Sequence, residues 1–468
     1  MMAFNQKVFR PYDIRGVVDR EIDGSFAFAF GFALGQFIKN KKKSGKINML
    51  IGHDARLRSP ALSDILINGL SESSKDISVI DMQLCTTPMH FYILNKENFD
   101  GGVMVTASHN PKEYVGFKVY GESGEPITLK SGLLQILGLM NKAPQFDLKH
   151  HIDDGDVWKK KDYLKEYTDF LFKGVFKLLN PCSIVIDAGN GTAGIVVEQL
   201  ARRLGLGLIP LFFKPDGNFP NRSPNPLDPM SLEPLRDRIK KTGADFGVAF
   251  DGDGDRVVFV DENSKIIEAE QIFAILAKEA LRERPGAPIV VPVNISKIVR
   301  ETVSHSNGKL IVSPVGRTFL IEAMRRQEAA FGGEISGHYY FQEFFGGDAG
   351  IFALIKVLKI FSRSQKSFSK LFDGLDKFYK SPEMNITVGD LAGIIWDLKR
   401  NYSEAHLVEE IDGLTVEYSD WWFNIRPSNT EPVVRLIVEA NTKELLEEKT
   451  TELKSFIEKK KGTTQAKP

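Results

Sequence analysis

From Met49 to about Asp261 the chain alternates short aliphatic, β-branched runs with longer segments whose apolar side chains recur every three to four positions, the signature of βαβ units on a parallel or mixed sheet. MLIG (49–52), ISVID (77–81) and GVMVT (102–106) read as buried strands. Between the first two, Ser59 and Pro60 supply an N-cap and a proline at the first helical position, and Leu62, Ile65, Leu66, Gly69 and Leu70 share one face, which predicts a helix. The rhythm returns in SIVID (183–187), a glycine-rich turn, a helix to about Leu204, the strand LIPLFF (208–213), a helix from Ser231 to about Lys241, and FGVAF (246–250). A third round runs through VVFV (257–260), a helix near 269–282, IVVPV (289–293), KLIVSPV (309–315) and a helix near 318–328. After about Phe372 the pattern changes to MNITV, a helix near 390–400, LTVEY, WWFNIR, VVRLIVEA and a charged helix over 442–461, which predicts a small α+β domain with a more antiparallel sheet.

The predicted fold class is therefore α/β: three related α/β domains with mixed sheets, then a smaller C-terminal α+β domain. Length agrees, because 468 residues exceed one hydrophobic core at roughly 100–200 residues per domain. Polar or Pro/Gly-rich interruptions near 145–158, at about 256 and near 365–380 suggest domains at 1–150, 151–255, 256–370 and 371–468. Lys and Arg together number 61, as do Asp and Glu, so no charge excess points to nucleic acid or to disorder. Lys39-Asn40-Lys41-Lys42-Lys43 reads as the solvated end of a helix, and KKKGTTQAKP as a frayed tail. The two cysteines, Cys85 and Cys182, lack metal-ligand spacing and suit the core of a protein in a reducing compartment. With no run of 18 apolar residues and an early charged start, the expectation is a soluble, cytoplasmic protein without a membrane partner.

The densest chemistry is Asp251-Gly252-Asp253-Gly254-Asp255-Arg256, directly after FGVAF. Three carboxylates at alternate positions repel one another unless a cation neutralises them, and the glycines let their oxygens converge; hard oxygen ligands point to magnesium. An EF-hand is rejected, because its sixth position must be Gly and here it is Arg256. Thr106-Ala107-Ser108-His109-Asn110-Pro111 follows GVMVT at the strand end where α/β sheets place ligands, which makes Ser108 an exposed candidate nucleophile or else a capping serine. Nearby Lys118 can stabilise phosphate charge or move a proton, or it is a surface lysine on a hairpin.

On an extended segment, Glu334, Ser336 and His338 would face one side, as a row of groups for sugar hydroxyls or as a plain polar strand face. Arg426-Pro427-Ser428-Asn429-Thr430-Glu431-Pro432 combines a forked cation, hydroxyls and an amide in a turn, the makings of a phosphate nest. Gly189-Asn190-Gly191-Thr192-Ala193-Gly194 satisfies a dinucleotide fingerprint, with Asp216 downstream, but the breaker-rich loop that follows favours a structural strand-to-helix turn.

Taken in order and spacing, FRPYDIRG (9–16), TASHNP, FDGDGDR, GGEISGH and RPSNTEP resemble the α-D-phosphohexomutase family over nearly the whole chain, and FRPYDIRGVV, VIDAGNGTAG, DGNFPN and GGEISGHYYF resemble its bacterial phosphomannomutase/phosphoglucomutase branch most. The resemblance implies four domains around a central cleft, the last like a TATA-binding-protein fold. It implies a phosphohexomutase that interconverts hexose 1-phosphate and hexose 6-phosphate, of mannose and/or glucose, through a phosphoserine enzyme and a hexose 1,6-bisphosphate that is both intermediate and activator. Ser108 would carry the phosphoryl group and, with Asp251, Asp253 and Asp255, hold Mg2+. Arg15, His109, Lys118 and Arg256 would surround the moving group, Glu334, Ser336 and His338 would grip the sugar, and Arg426, Ser428, Asn429 and Thr430 would anchor the other phosphate. The implied partners are small hexose phosphates, not nucleic acid, and the implied assembly is a monomer or dimer.

Two departures leave the preferred hexose open. Ser313-Pro314-Val315-Gly316-Arg317 stands where the branch typically has Lys-Thr-Gly-His, and Asn294 where a lysine is expected. A phosphoglucosamine mutase, in which Gly usually replaces Asn429, and a metal-dependent sugar phosphatase are the alternatives.

Overall fold

The computed structural model describes residues 4–146, 158–173, 182–428 and 433–461. Their aliphatic runs pair into four sheets. In the first, Ile14–Val17, Tyr114–Tyr120, Gly101–Val105, Ile47–His53, Ile77–Leu84 and Trp158–Lys160 lie side by side in that order. The last four run parallel and the first two antiparallel, so the sheet is mixed. Gly101–Val105 is buried along its whole length, which is why it reads as an unbroken apolar run rather than an alternating one.

The second sheet orders Ile266–Ile267, Val257–Asp261, Phe246–Phe250, Ser183–Asp187 and Gly207–Leu211. Here the reading of VVFV as the start of a third layer is corrected: Val257–Asp261 pairs antiparallel with Phe246–Phe250, in register from Val257 opposite Phe250 to Asp261 opposite Phe246. Two strands joined by a loop as short as 251–256 close most readily as neighbours, and the periodicity of either strand is blind to that. The third sheet, Lys309–Ser313, Pro288–Pro292, Phe331–Gly333 and Tyr339–Phe341, is parallel except for its last pair. The fourth is wholly antiparallel, as expected, with Trp421–Pro427 and Val434–Ala440 at its centre.

The helix predicted after Ser59 spans Ser59–Ser73, and the lysine run ends the helix Gly24–Lys42, whose first turn Asp23 caps through the Phe26 amide at 2.8 Å. The expected helix at Ser231 begins as a tight turn, Pro229–Leu232, and continues as Glu233–Thr242. Among the described residues five helices escape the sequence reading: Thr87–Lys96, Leu134–Met140, Leu164–Lys173, Lys297–His305 and Gly350–Ser364. Thr87 to Asn95 are all buried, so the first has no polar face from which a helical period could be read.

The chain divides into two compact units. One takes the described residues through Ile267 with Ser336–His338 and Gly347–Ser369, and the other takes Glu268–Ile335, Tyr339–Gly346 and the chain from Lys370. Cys85 and Cys182 are free and buried, as expected of core residues. Among the described residues no helix is long and apolar enough to cross a membrane.

Candidate active site

At the end of Gly101–Val105 the first sheet delivers Thr106, Ala107 and Ser108. Ser108 sits at φ +50°, a left-handed conformation that a residue with a Cβ seldom adopts, and its Oγ donates a 2.8 Å hydrogen bond to Asp251 Oδ2. His109 Nδ1 lies 3.3 Å from Ser108 Oγ. Ser108 was expected to be exposed; it is 1% exposed. The reason is the loop that follows Phe246–Phe250: a Cβ at Gly252 would meet the Ser108 carbonyl at 2.6 Å, so only glycine lets the two backbones close over the serine.

That loop carries the three aspartates, and their exposures are 0% for Asp251, 0% for Asp253 and 1% for Asp255. One oxygen from each falls within 4.8 Å of the others. Lys118, on Tyr114–Tyr120, is no surface lysine: it is 7% exposed, with Nζ 2.7 Å from Asp253 Oδ2 and 2.5 Å from Asp255 Oδ2. Burial and then the two neighbouring aspartates push the Asp251 carboxyl well above the ordinary carboxylate range. Burial also opposes ionisation of Asp255, but Lys118, His338 and Arg256 outweigh it and hold that group well below the range. Asp253 Oδ1 is buried and accepts no hydrogen bond. A buried trio of hard oxygens, one driven toward protonation by burial and by its fellows and one with an idle lone pair, fits a small divalent cation such as Mg2+.

Cations converge on this place from two more directions. Arg15 donates to Asp13 Oδ2 at 2.8 Å and to the Ala107 carbonyl at 3.2 Å, and also bonds the Asn110 side chain. Arg256 Nε lies 3.9 Å from Asp251 Oδ2 and 3.2 Å from His338 Nε2. Arg256 foremost, then burial and Arg15, holds His109 well below the usual histidine range, so its ring is neutral. His338 Nε2 is also 3.3 Å from Asp255 Oδ1, and its Nδ1 is 2.8 Å from Ser336 Oγ.

The extended row expected of Glu334, Ser336 and His338 is not formed. Phe331–Gly333 and Tyr339–Phe341 pair as a hairpin, so these residues occupy its loop, which turns at Gly337 with φ +81°. Ser336 and His338 belong to the first unit, while Glu334, in the second, accepts a 2.6 Å hydrogen bond from Tyr340.

In the second unit Arg426 is 3% exposed at the end of Trp421–Pro427 and gives Nη2 to Glu383 Oε1 at 2.8 Å. Arg435 Nη1 lies 3.3 Å from the other Glu383 oxygen. The Ser428 amide donates to the Val433 carbonyl at 2.9 Å; Asn429 and Thr430 lie outside the described residues. Asn294 is 1% exposed, with Nδ2 3.5 Å from Glu383 Oε1, and Arg317 opens the helix Arg317–Arg326.

The dinucleotide-like segment does structural work. The Thr192 amide donates to the Gly252 carbonyl at 3.1 Å, and a Cβ at Gly191 would meet that carbonyl at 2.5 Å, so the turn braces the aspartate loop from behind. Sequence reasoning missed Asp54, Arg56 and Thr87, and named Thr106 in the serine turn without giving it a role. Thr87 Oγ1 donates to Asp253 Oδ2 at 2.5 Å, and Thr106 Oγ1 to Asp54 Oδ2 at 2.7 Å. The available signal was a charged pair, Asp54 and Arg56, placed directly after a buried strand end.

Four consecutive stretches match the phosphoglucomutase/phosphomannomutase domains: alpha/beta/alpha domain I at residues 6–144, domain II at 161–265, domain III at 268–378 and the C-terminal domain at 383–454. A phosphomannomutase of Vibrio cholerae is 35% identical over 461 residues, covering 96% of this chain and 98% of the relative. A phosphomannomutase/phosphoglucomutase of Pseudomonas putida is 35% identical over 445 residues, covering 94% and 93%. The crystal structure of a phosphoglucomutase/phosphomannomutase family protein from Burkholderia thailandensis superposes with a TM-score of 0.86 at 30% identity, covering 98% of this chain and 99% of that one.

Proposed function

The chain belongs to the phosphoglucomutase/phosphomannomutase family, and from that premise we propose that it interconverts the 1- and 6-phosphates of mannose and/or glucose through a phosphorylated Ser108. The observation that carries the reading is the 2.8 Å hydrogen bond from Ser108 Oγ to Asp251 Oδ2, which sets a hydroxyl against three converging carboxylates. Ser108, Asp251, Asp253 and Asp255 would hold Mg2+. When bound, the ion supplies charge neutralisation to the transferring phosphoryl group.

The protein's own part is positioning and proton traffic. Phospho-Ser108 gives up its P–O bond as a free sugar hydroxyl at C6 or C1 forms a new one, and the hydroxyl proton leaves to a nearby base. Neutral His109, with Nδ1 3.3 Å from Ser108 Oγ, stands close enough to serve, while the Lys118 ammonium, paired with Asp253 and Asp255, offsets charge beside the reacting groups. Arg15 and Arg256 offset charge on the phosphoryl oxygens. The resulting hexose 1,6-bisphosphate reverses its orientation and returns its other phosphate to Ser108. Glu334, Ser336 and His338 would hold sugar hydroxyls, and Arg426, Ser428, Asn429 and Thr430 the phosphate at rest. Mannose and glucose are favoured over glucosamine because relatives 34–36% identical over most of this chain are named phosphomannomutase or phosphohexose mutases.

A coupled assay on mannose 1-phosphate, glucose 1-phosphate and glucosamine 1-phosphate, primed with the matching bisphosphates and run with and without Mg2+, tests the proposal. Turnover of the first two with phosphate on Ser108 by mass spectrometry supports it. Release of inorganic phosphate without isomerisation would make the protein a phosphatase instead.

A further inference from the structure

We infer that Arg56 is the positioning residue on which the Ser108 turn is built, so that phosphoryl transfer depends on a side chain that touches neither phosphate nor sugar. The inference rests on reading Ser108 as the phosphocarrier.

A guanidinium has five N–H donors fixed in one plane, and here all five are engaged. Nε donates to Asp54 Oδ2 at 3.1 Å, Nη1 to the carbonyls of Pro111 at 2.6 Å and Tyr114 at 3.0 Å, and Nη2 to the carbonyls of Ser108 at 2.9 Å and Asn110 at 2.6 Å. Four of the five acceptors are thus main-chain oxygens of one turn. Arg56 is 2% exposed and Asp54 1%, which puts a charged pair where charge is costly unless every donor is satisfied. The Phe219 ring lies 5.3 Å from Arg56 Cζ, so the second α/β layer closes over the guanidinium.

Asp54 ties the other side of the serine. Its Oδ2 accepts Thr106 Oγ1 at 2.7 Å, and Thr106 Oγ1 in turn accepts the Ser108 amide at 2.9 Å. Its Oδ1 takes the Arg56 amide at 3.0 Å and Ser59 Oγ at 2.7 Å. Both the amide and the carbonyl of Ser108 are therefore anchored to the Asp54–Arg56 pair. That anchorage holds a non-glycine residue at φ +50° with Oγ aimed at Asp251. Transfer in both directions through one oxygen needs that aim, and a misplacement of about 1 Å costs on the order of 100-fold in rate.

The test uses the full chain with Mg2+ and bisphosphate priming, and compares Arg56→Lys, Arg56→Ala and Ser108→Ala for kcat, KM, thermal unfolding and phosphate on Ser108 by intact mass. The expected result is a folded Arg56→Lys enzyme whose KM stays within about threefold while kcat falls by roughly 100-fold, because an ammonium has no fork to span four carbonyls. Millimolar guanidinium should restore part of the rate to Arg56→Ala. A purely structural arginine would lower the melting temperature and leave kcat per folded molecule unchanged; that outcome, with Ser108→Ala inactive, overturns the inference. An active Ser108→Ala enzyme overturns its premise instead. Should the Arg56 variants not fold, Asp54→Asn keeps the shape and removes the charge; a fall in kcat at constant KM supports the role, and an unchanged kcat removes it.

Discussion

Lys118 Nζ sits 2.5 Å from Asp255 Oδ2, and with side chains 8% and 1% exposed the two form a buried ion pair inside the aspartate cluster. The ammonium thus balances carboxylate charge that a divalent cation would also claim.

Lys118→Met should therefore separate metal binding from turnover. Removing one partner of a buried pair costs about 3–5 kcal/mol, so the metal-free variant should melt earlier. The same change removes a competing cation, so Mg2+ should bind more tightly and recover part of that stability while turnover stays low. Calorimetric titration with Mg2+ and melting curves with and without it would measure both. Unchanged metal affinity would argue that Lys118 does not compete for these oxygens.

Ser108 at φ +50° makes a second expectation specific to this backbone. Both Ser108→Ala and Ser108→Gly lose the hydrogen bond to Asp251, but only glycine relaxes the left-handed conformation. Ser108→Gly should then be the more stable of the two by roughly 1 kcal/mol. Neither should turn over substrate. Equal melting temperatures would mean the turn relaxes around either residue.

His90 offers a pH test away from the reacting groups. Burial lowers its pKa to about 4, although its Nε2 lies 3.0 Å from the Leu50 carbonyl. The unfolded chain takes up that proton near pH 6.5, whereas the folded one resists until about 4, so the unfolded state binds more protons between those values. Stability from this group is complete above pH 6.5 and is lost as pH falls, by on the order of 3 kcal/mol at pH 4. His90→Leu should flatten the acid limb of a stability-versus-pH curve by up to one proton, measured by urea unfolding. An identical slope would assign acid sensitivity to other groups.

Arg426 pairs with Glu383 at 2.8 Å, and this partner gives the phosphate-anchor proposal a sharper test than removal of the arginine alone. Arg426→Ala should raise KM and lower kcat, and Arg426→Lys should rescue only in part because the fork is lost. Glu383→Gln frees the guanidinium from its carboxylate and should lower KM for hexose phosphate. If Arg426→Ala moves only the melting temperature, and both kinetic constants stay within about twofold, its role is confined to Glu383.

How far the sequence reached differs by element. Ser183–Asp187 and Phe246–Phe250 were legible to the residue because burial on both faces writes an aliphatic run between clear breakers. Thr87–Lys96 was not, because a helix buried all round has no polar stripe. The aspartate loop was legible as a cation site, since three carboxylates in five residues need a counter-charge wherever they fold. Arg56 was legible only as a charged neighbour of Asp54 after a strand end; the turn it holds was not, since its other four acceptors are carbonyls, which every residue has.

The sequence by itself determined which residue types are available and in what order: most strands and helices, the serine turn, the acidic loop and the motifs that place the chain in its family. These follow from periodicity and local chemistry, which act over a few turns or strands. Only the tertiary structure decided that Val257–Asp261 joins the second sheet, that Ser108 is buried under Gly252, that Lys118 reaches Asp255 across 137 positions, and that His338 leaves an expected strand row to meet Arg256. Each of these depends on strand order and on backbones approaching within van der Waals distance. Sheet pairing and loop closure set those contacts, and periodicity, which reads one element at a time, does not register which other element it will meet, whether six residues away or more than a hundred.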